Sequence, residues 1–219
     1  MRTDFDRQLR LLGGEMREMG VLCQEAIALA AKALSEDSRE LAARVPPISA
    51  ALDQKERDVE NICLKLLLRQ QPVAGDLRQI SAALKMITDM ERIGDQAEDI
   101  AEIVSSMAPG PRPETELLGH MARAVIQMVT DSVDAYLRQD TELAAQVIAR
   151  DELVDGYFEK VKKSLVDIIV GEPDLGGYAL DMLMTGKYFE RIGDHATNIA
   201  EWAIYSVTGE HRSEELTSG

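Results

Sequence analysis

The pentapeptide Glu-Arg-Ile-Gly-Asp occurs twice in this chain of 219 residues, at 91–95 and again at 190–194. The match continues beyond the pentapeptide: Ala97 pairs with Ala196, Ile100 with Ile199, Ala101 with Ala200 and Glu102 with Glu201, all at an offset of 99. A period this long is not that of a solenoid, whose repeats run to about 50 residues at most. It is the size of a small domain, so the chain consists of two tandem copies of one unit. The copies align without gaps from Glu56/Asp155 to Glu102/Glu201. Upstream, Glu40-Leu-Ala-Ala43 matches Glu142-Leu-Ala-Ala145 at an offset of 102. The first copy therefore carries three extra residues between Val45 and Glu56, where Pro46-Pro47 sits.

Each copy reads as helix throughout. Aromatic residues make up only 4%, and Ala, Leu, Ile and Met dominate, which suits packed helices. Val21, Leu22, Ala26, Leu29, Ala30 and Ala33 keep the three-four spacing of one buried face. A turn is expected at Ser35 to Ser38, with Asp37 and Glu40 as a capping box. A second helix runs through Leu52 to Leu68 and stops before Pro72 and Gly75. The third carries Leu77, Ile80, Leu84, Ile87, Ile93, Ile100 and Ile103. The second copy repeats this plan. Met121, Val125, Met128, Val129 and Val133 share a face, Asp140-Thr141 makes a turn like Asp37-Ser38, and a helix covers about Glu142 to Val170. Gly171-Glu172-Pro173 breaks it, and the last helix runs to about Val207 with Gly209 as its stop. The stretch from Ala108 to Pro113, rich in proline, is the clearest linker. The expected fold is all-α: two similar three-helix bundles in tandem, six long helices, with domains at 1–108 and 109–219. The two amides missing at Pro46-Pro47 predict a break or kink in helix two of the first copy.

Charge narrows the function. The net charge is −15, from 39 acidic and 24 basic residues, so phosphate backbones are repelled and nucleic-acid binding is disfavoured. Cys23 and Cys63 lie in Leu- and Ala-rich helical stretches, form no short-spaced pair, and read as reduced core residues. The N-terminus has no apolar signal core, and no stretch approaches the ~18 apolar residues of a membrane span. A cytoplasmic location is expected, with the membrane reached only through partners.

The repeated motif carries the chemistry. Residues four apart share a helix face, so Glu91 and Asp95 project together and Asp99 extends the row. Glu190 and Asp194 do the same, with Asn198 next. Adjacent carboxylates repel unless a positive group lies between them, and their oxygens suit hard cations such as Mg, Mn, Ca or ferric iron. Acidic pairs alone mean little: the chain has nine at i,i+4, against roughly 7 expected by chance. Their placement means more. Glu56/Glu60 and Asp155/Glu159 recur at the offset of the main motif, so each half has two acidic pairs on consecutive helices, and four carboxylates converge if those helices are antiparallel neighbours. The competing reading is that Arg92 and Arg191 neutralise the rows by salt bridges. Gly94 and Gly193 each cost about 1 kcal/mol of helix stability against alanine, which points to close helix packing or to room for a ligand. His195, next to Asp194, reads more readily as a packing residue than as a ligand.

The segments Asp89 to Glu102 and Glu190 to Trp202 are similar to the paired signature of the PhoU family, bacterial regulators of phosphate uptake. Gln70 to Arg78 resembles the family segment that opens the third helix, and the resemblance spans essentially the whole chain. It implies a regulator and not an enzyme: a repressor of the phosphate-starvation response that links the ATPase subunit of a phosphate ABC transporter to a membrane histidine kinase. It also implies multinuclear iron or zinc, or another divalent metal, on surface motifs of the form Glu/Asp-x-x-x-Asp. These fall on Glu91, Asp95, Glu190 and Asp194, with Asp99 extending the first and Asn198 replacing the third acid of the second. Glu56, Glu60, Asp155 and Glu159 join them from helix two by the same analogy. A homodimer, its acidic surfaces bridged by cations, is the expected assembly. Two departures stand out. The first copy has no counterpart to Asp151, so its site is expected to be altered, and Gly176-Gly177 replaces the Leu77-Arg78 of the first copy.

Two other readings compete with the adaptor. A carboxylate-bridged di-metal enzyme in a helical bundle uses Glu-x-x-His motifs. His120, His195 and His211 follow Leu117, Ile192 and Thr208 at three residues, which argues against it. The other is a helical scaffold that holds no metal.

Overall fold

Hydrophobic spacing resolves into seven α-helices in the computed structural model, which describes residues 2–70, 72–107 and 115–210, the side chains of residues 2–4, 69, 70 and 115 excepted. The helices are α1 (Arg2–Glu36), α2 (Arg39–Ala42), α3 (Val45–Gln70), α4 (Ala74–Ser106), α5 (Thr115–Arg138), α6 (Thr141–Gly171) and α7 (Gly176–Thr208), with a 3-10 turn at Pro173–Leu175. Six are long, as expected, and α2 is a single turn. The expected linker from Ala108 to Pro113 lies outside the described residues. Among the described residues no helix is long and apolar enough to cross a membrane.

The first turn differs from the sequence expectation by one residue. Asp37 and Gln139 both adopt left-handed backbone, at φ 51° and 56°, and end α1 and α5. The caps that follow are Ser38, whose hydroxyl accepts from the amide of Leu41 at 3.2 Å, and Asp140, whose carboxylate accepts from Leu143 at 2.9 Å. Ser38 is thus the cap in place of Asp37, which is occupied in reversing the chain. Ser38 matches Asp140 at the offset of 102, not Thr141.

The interruption expected at Pro46-Pro47 is present, but immediately before them. The chain leaves α2 at Ala43, turns, and restarts α3 at Val45. Both prolines then lie in the first turn of α3, where a helix has no use for their amide hydrogens. The second copy has no such break, and α6 runs unbroken for 31 residues. At the far end, Gly209 takes φ 82° and its N–H donates to the carbonyl of Tyr205 at 2.8 Å, stopping α7.

α1, α3 and α4 pack together as one bundle, and α5, α6 and α7 as the other. The bundles meet along α4 and α7, which carry the repeated motif, and along α1 and α5. Contacts across the seam run in opposite senses along the two helices: Asp89 meets His195, and Arg78 reaches the carbonyl of Val207. α4 and α7 are therefore antiparallel. The phenol of Tyr136 on α5 donates to the carbonyl of Gln79 on α4 at 3.0 Å. One continuous apolar core fills both bundles, with Met16, Met90, Ile93, Met128 and Phe189 fully buried. Cys23 and Cys63 are free thiols within it, as the sequence suggests. Burial pushes Cys63 up to about 12 and Cys23 higher still.

Candidate acidic sites on the motif helices

In the first half, α3 and α4 bring Asp53, Glu91 and Asp95 together. One oxygen from each lies within 4.8 Å of the others. A hard cation holds its oxygens at about 2.0–2.6 Å, so a single ion reaches all three. Burial first, then Asp95, Glu56 and Asp53, push the Glu91 carboxyl above its usual range, while Arg92 pulls the other way. Arg92 stands 3.4 Å from Glu91 and 3.1 Å from Asp95, so arginine partly neutralises this row. Glu56 accepts from the hydroxyl of Thr88 at 3.1 Å beside the cluster. Asp99 continues toward the seam. Burial and the charges of Glu102, Asp95 and Glu98 raise its pKa, and Arg191 of α7 opposes them. Glu60 is exposed and stands outside the triple.

In the second half, Asp151 and Asp155 of α6 face Glu190 and Asp194 of α7. Burial raises Asp151 to about 6, reinforced by Asp194, Asp155 and Glu190. Asp194 is raised by burial and by Glu190, against Lys187. Lys187 is ion-paired with the motif acid Glu190, while Arg191 lies over the ring of Tyr188. Among the described residues, the tight three-oxygen spacing is met in the first half and not here. Glu159 is exposed and ion-paired to Lys162. Asn198 donates to Asp89 at 3.1 Å, and His195 joins the same carboxylate oxygen at 2.8 Å. Both side chains therefore belong to the seam between the bundles.

Both paired glycines sit where a neighbouring helix approaches closely. A Cβ on Gly94 would stand 2.6 Å from Cδ1 of Leu52, so its absence lets α3 pack onto α4. A Cβ on Gly193 would stand 3.3 Å from Oδ1 of Asp151. Leu52 and Asp151 are the same position at the offset of 99. The first half has hydrocarbon where the second has a carboxylate, and Asp53, one residue later, supplies its third acid. The signal for Asp151 was its i,i+4 partner Asp155. That for Asp53 was Glu56 at i,i+3, the other neighbour on a helix face.

The PhoU domain family matches this chain twice, over residues 16–104 and 118–203. The chain belongs to the PhoU family. A phosphate-specific transport system accessory protein PhoU homolog from Clostridium acetobutylicum is 31% identical, covering 95% of this chain and 96% of that protein. One from Aquifex aeolicus is 38% identical and covers 88% of each. The crystal structure of PhoU from Pseudomonas aeruginosa superposes with a TM-score of 0.86 at 33% identity, over 94% of this chain and all of that one. The phosphate transport system regulatory protein PhoU from Streptococcus pneumoniae also has a TM-score of 0.86, at 26% identity. These PhoU relatives are named as accessory and regulatory proteins and not as enzymes, in accord with the missing Glu-x-x-His motifs.

Proposed function

We propose that this PhoU protein is an accessory regulator of phosphate-specific transport that represses the phosphate-starvation response. It acts as a cytoplasmic adaptor between the transporter's ATPase subunit and a sensor histidine kinase. Family membership, with a relative matched over 95% of this chain, carries the reading. The acidic faces of α3, α4, α6 and α7 supply its physics. They attract basic partner surfaces, and occupancy favours the kinase conformation to which the adaptor binds more tightly. Salt screens such contacts. The experiment is a binding titration of the full chain against the purified ATPase subunit and the kinase at 20 mM and 500 mM salt. Binding to both that weakens at least tenfold with salt supports the adaptor; no binding to either at low salt removes it.

We also propose that the acidic clusters hold hard cations in a protein that assembles as a homodimer. Asp53, Glu91 and Asp95 form one site, and Asp151, Asp155, Glu190 and Asp194 the other. The supporting observation is the convergence of three oxygens in the first half, in a donor set of carboxylates alone. Elemental analysis of untagged protein purified without chelator tests it, beside a variant with Glu91, Asp95, Glu190 and Asp194 replaced by alanine. Metal that disappears in the variant supports the sites; metal-free wild-type protein removes them. Sedimentation of the same samples reads the assembly.

A further inference from the structure

A second feature lies apart from the acidic faces. α1 meets α4 and α5 around a cleft of about 520 Å³, within the usual range for small-molecule sites. Its α1 wall is formed by Leu9 and Leu12 together with Arg10, Gly13, Gly14 and Arg17, the last four at the i, i+3, i+4, i+7 spacing of a single helix face. Gln79 and Tyr136 close the opposite side, already bonded to each other through the phenol and the carbonyl.

Two observations mark this cleft. First, among the described residues neither arginine has an ion pair or hydrogen bond, in a protein of net charge −15 where Lys55 and Arg150 each pair with an acid of a neighbouring helix. Second, packing explains neither glycine. A Cβ on Gly14 would meet nothing within 4 Å, and one on Gly13 would make an ordinary contact with Leu137 at 3.5 Å. Two glycines within a 35-residue helix sacrifice about 2 kcal/mol of helix propensity. What they provide is an open floor between two guanidinium groups.

The second copy lacks this arrangement. At the offset of 102, Gly14 becomes Glu116 and Arg17 becomes Gly119. An acid stands where the first copy keeps a gap, so the feature does not follow from the repeated fold.

We propose that this cleft binds a small phosphate-bearing anion. Guanidinium forks match phosphate oxygens in bidentate geometry. The arginine Cα atoms are about 10.5 Å apart along the helix, so the two side chains either converge on one phosphate or span several. The acidic surface elsewhere suppresses indiscriminate anion adsorption, which makes any binding informative. The inference rests on the cleft alone, so its failure leaves the adaptor and the cation sites as they stand.

The test is calorimetric titration of the full chain, with divalent cations chelated and 0.15 M salt. Inorganic phosphate, tripolyphosphate and ATP are the probes. Two variants accompany the wild type: Arg10→Gln/Arg17→Gln, and Gly14→Glu, which places an acid one turn from both arginines as in the second copy. Binding of at least one probe, weakened at least tenfold in both variants, is the expected result. Gly14→Glu should also raise the melting temperature, a readout that misfolding does not imitate. Phosphate binding as tightly as the longer probes identifies a single-phosphate site, and preference for the longer probes identifies a spanning one. No binding of any probe at 5 mM, or binding that survives either variant, overturns the proposal.

Discussion

The Oδ1 atom of Asp151 lies 3.3 Å from the point where a Cβ on Gly193 would stand. At the matching point in the first half, the neighbour of Gly94 is a methyl of Leu52, at 2.6 Å. The same backbone approach thus seats a carboxylate in one half and a core side chain in the other, so the two glycines are expected to respond differently to substitution.

Gly94→Ala is expected to lower stability by about 1–2 kcal/mol: overpacking against the fully buried Leu52 exceeds the helix-propensity gain of alanine. Gly193→Ala should fall within about 0.5 kcal/mol of wild type, because the half-buried Asp151 can swing outward and the propensity gain offsets the rest. Urea denaturation midpoints of the two variants make the comparison. Equal losses would show that Asp151 is held as rigidly as Leu52.

Asp151 also sets a pH dependence. Its folded pKa of about 6 lies above the ordinary aspartate value of 3.8. Between these values the folded state binds more protons than the unfolded one, so stability falls as pH rises through that window. In chelator-treated protein, Asp151→Asn should stabilise at pH 8 by about 1–2 kcal/mol, a figure reduced for partial solvent screening. The gain should shrink toward pH 4. Denaturation curves at the two pH values measure it, and a pH-independent gain would exclude titration of this carboxyl as the cause.

The seam offers a third test. Asp89 holds both His195 and Asn198 from the opposite bundle. Asp89→Ala should cost about 1.5–3 kcal/mol, the range for a hydrogen bond to a charged group. A double-mutant cycle with His195→Ala should give a coupling of at least 0.5 kcal/mol, as residues in contact do. Additive losses would mean that the two side chains are neighbours without interaction.

Asp53→Ala distinguishes the two acidic clusters. If cations occupy both, this variant should lose metal from the first half and keep it in the second. Elemental analysis after dialysis should therefore show a partial loss, while Asp151→Ala removes the complementary part. Full metal retention in Asp53→Ala would exclude that residue as a ligand.

Much of this architecture was legible in the residues. The doubled motif implied two copies, and the three-four spacing gave six long helices with stops at Gly171 and Gly209. What escaped depended on neighbours distant in sequence or on close local competition. Asp37 and Ser38 are both competent caps, and where α1 ends decides between them. Asn198 stands one turn beyond Asp194 and so resembled the end of an acid row, yet antiparallel packing of α4 and α7 turns it toward Asp89. Glu159 has Lys162 within reach on its own helix, and that pairing uses it locally. Asp53 was hidden because spacing by four passes over a residue that meets Glu56 at three.

The antiparallel pairing of α4 and α7 gives the molecule the outline of an object with two interchangeable ends. Its seam says otherwise. Asp89 is bonded to His195 and Asn198 on one flank, while at the matching positions Tyr188 faces Asp99. Lysine pairs with the motif acid Glu190, and arginine with the motif acids Glu91 and Asp95. Turned end over end, the protein presents a similar shape with a different pattern of charge. A partner that reads charge therefore finds a front and a back, and a single copy of the protein offers two distinct addresses instead of one address written twice.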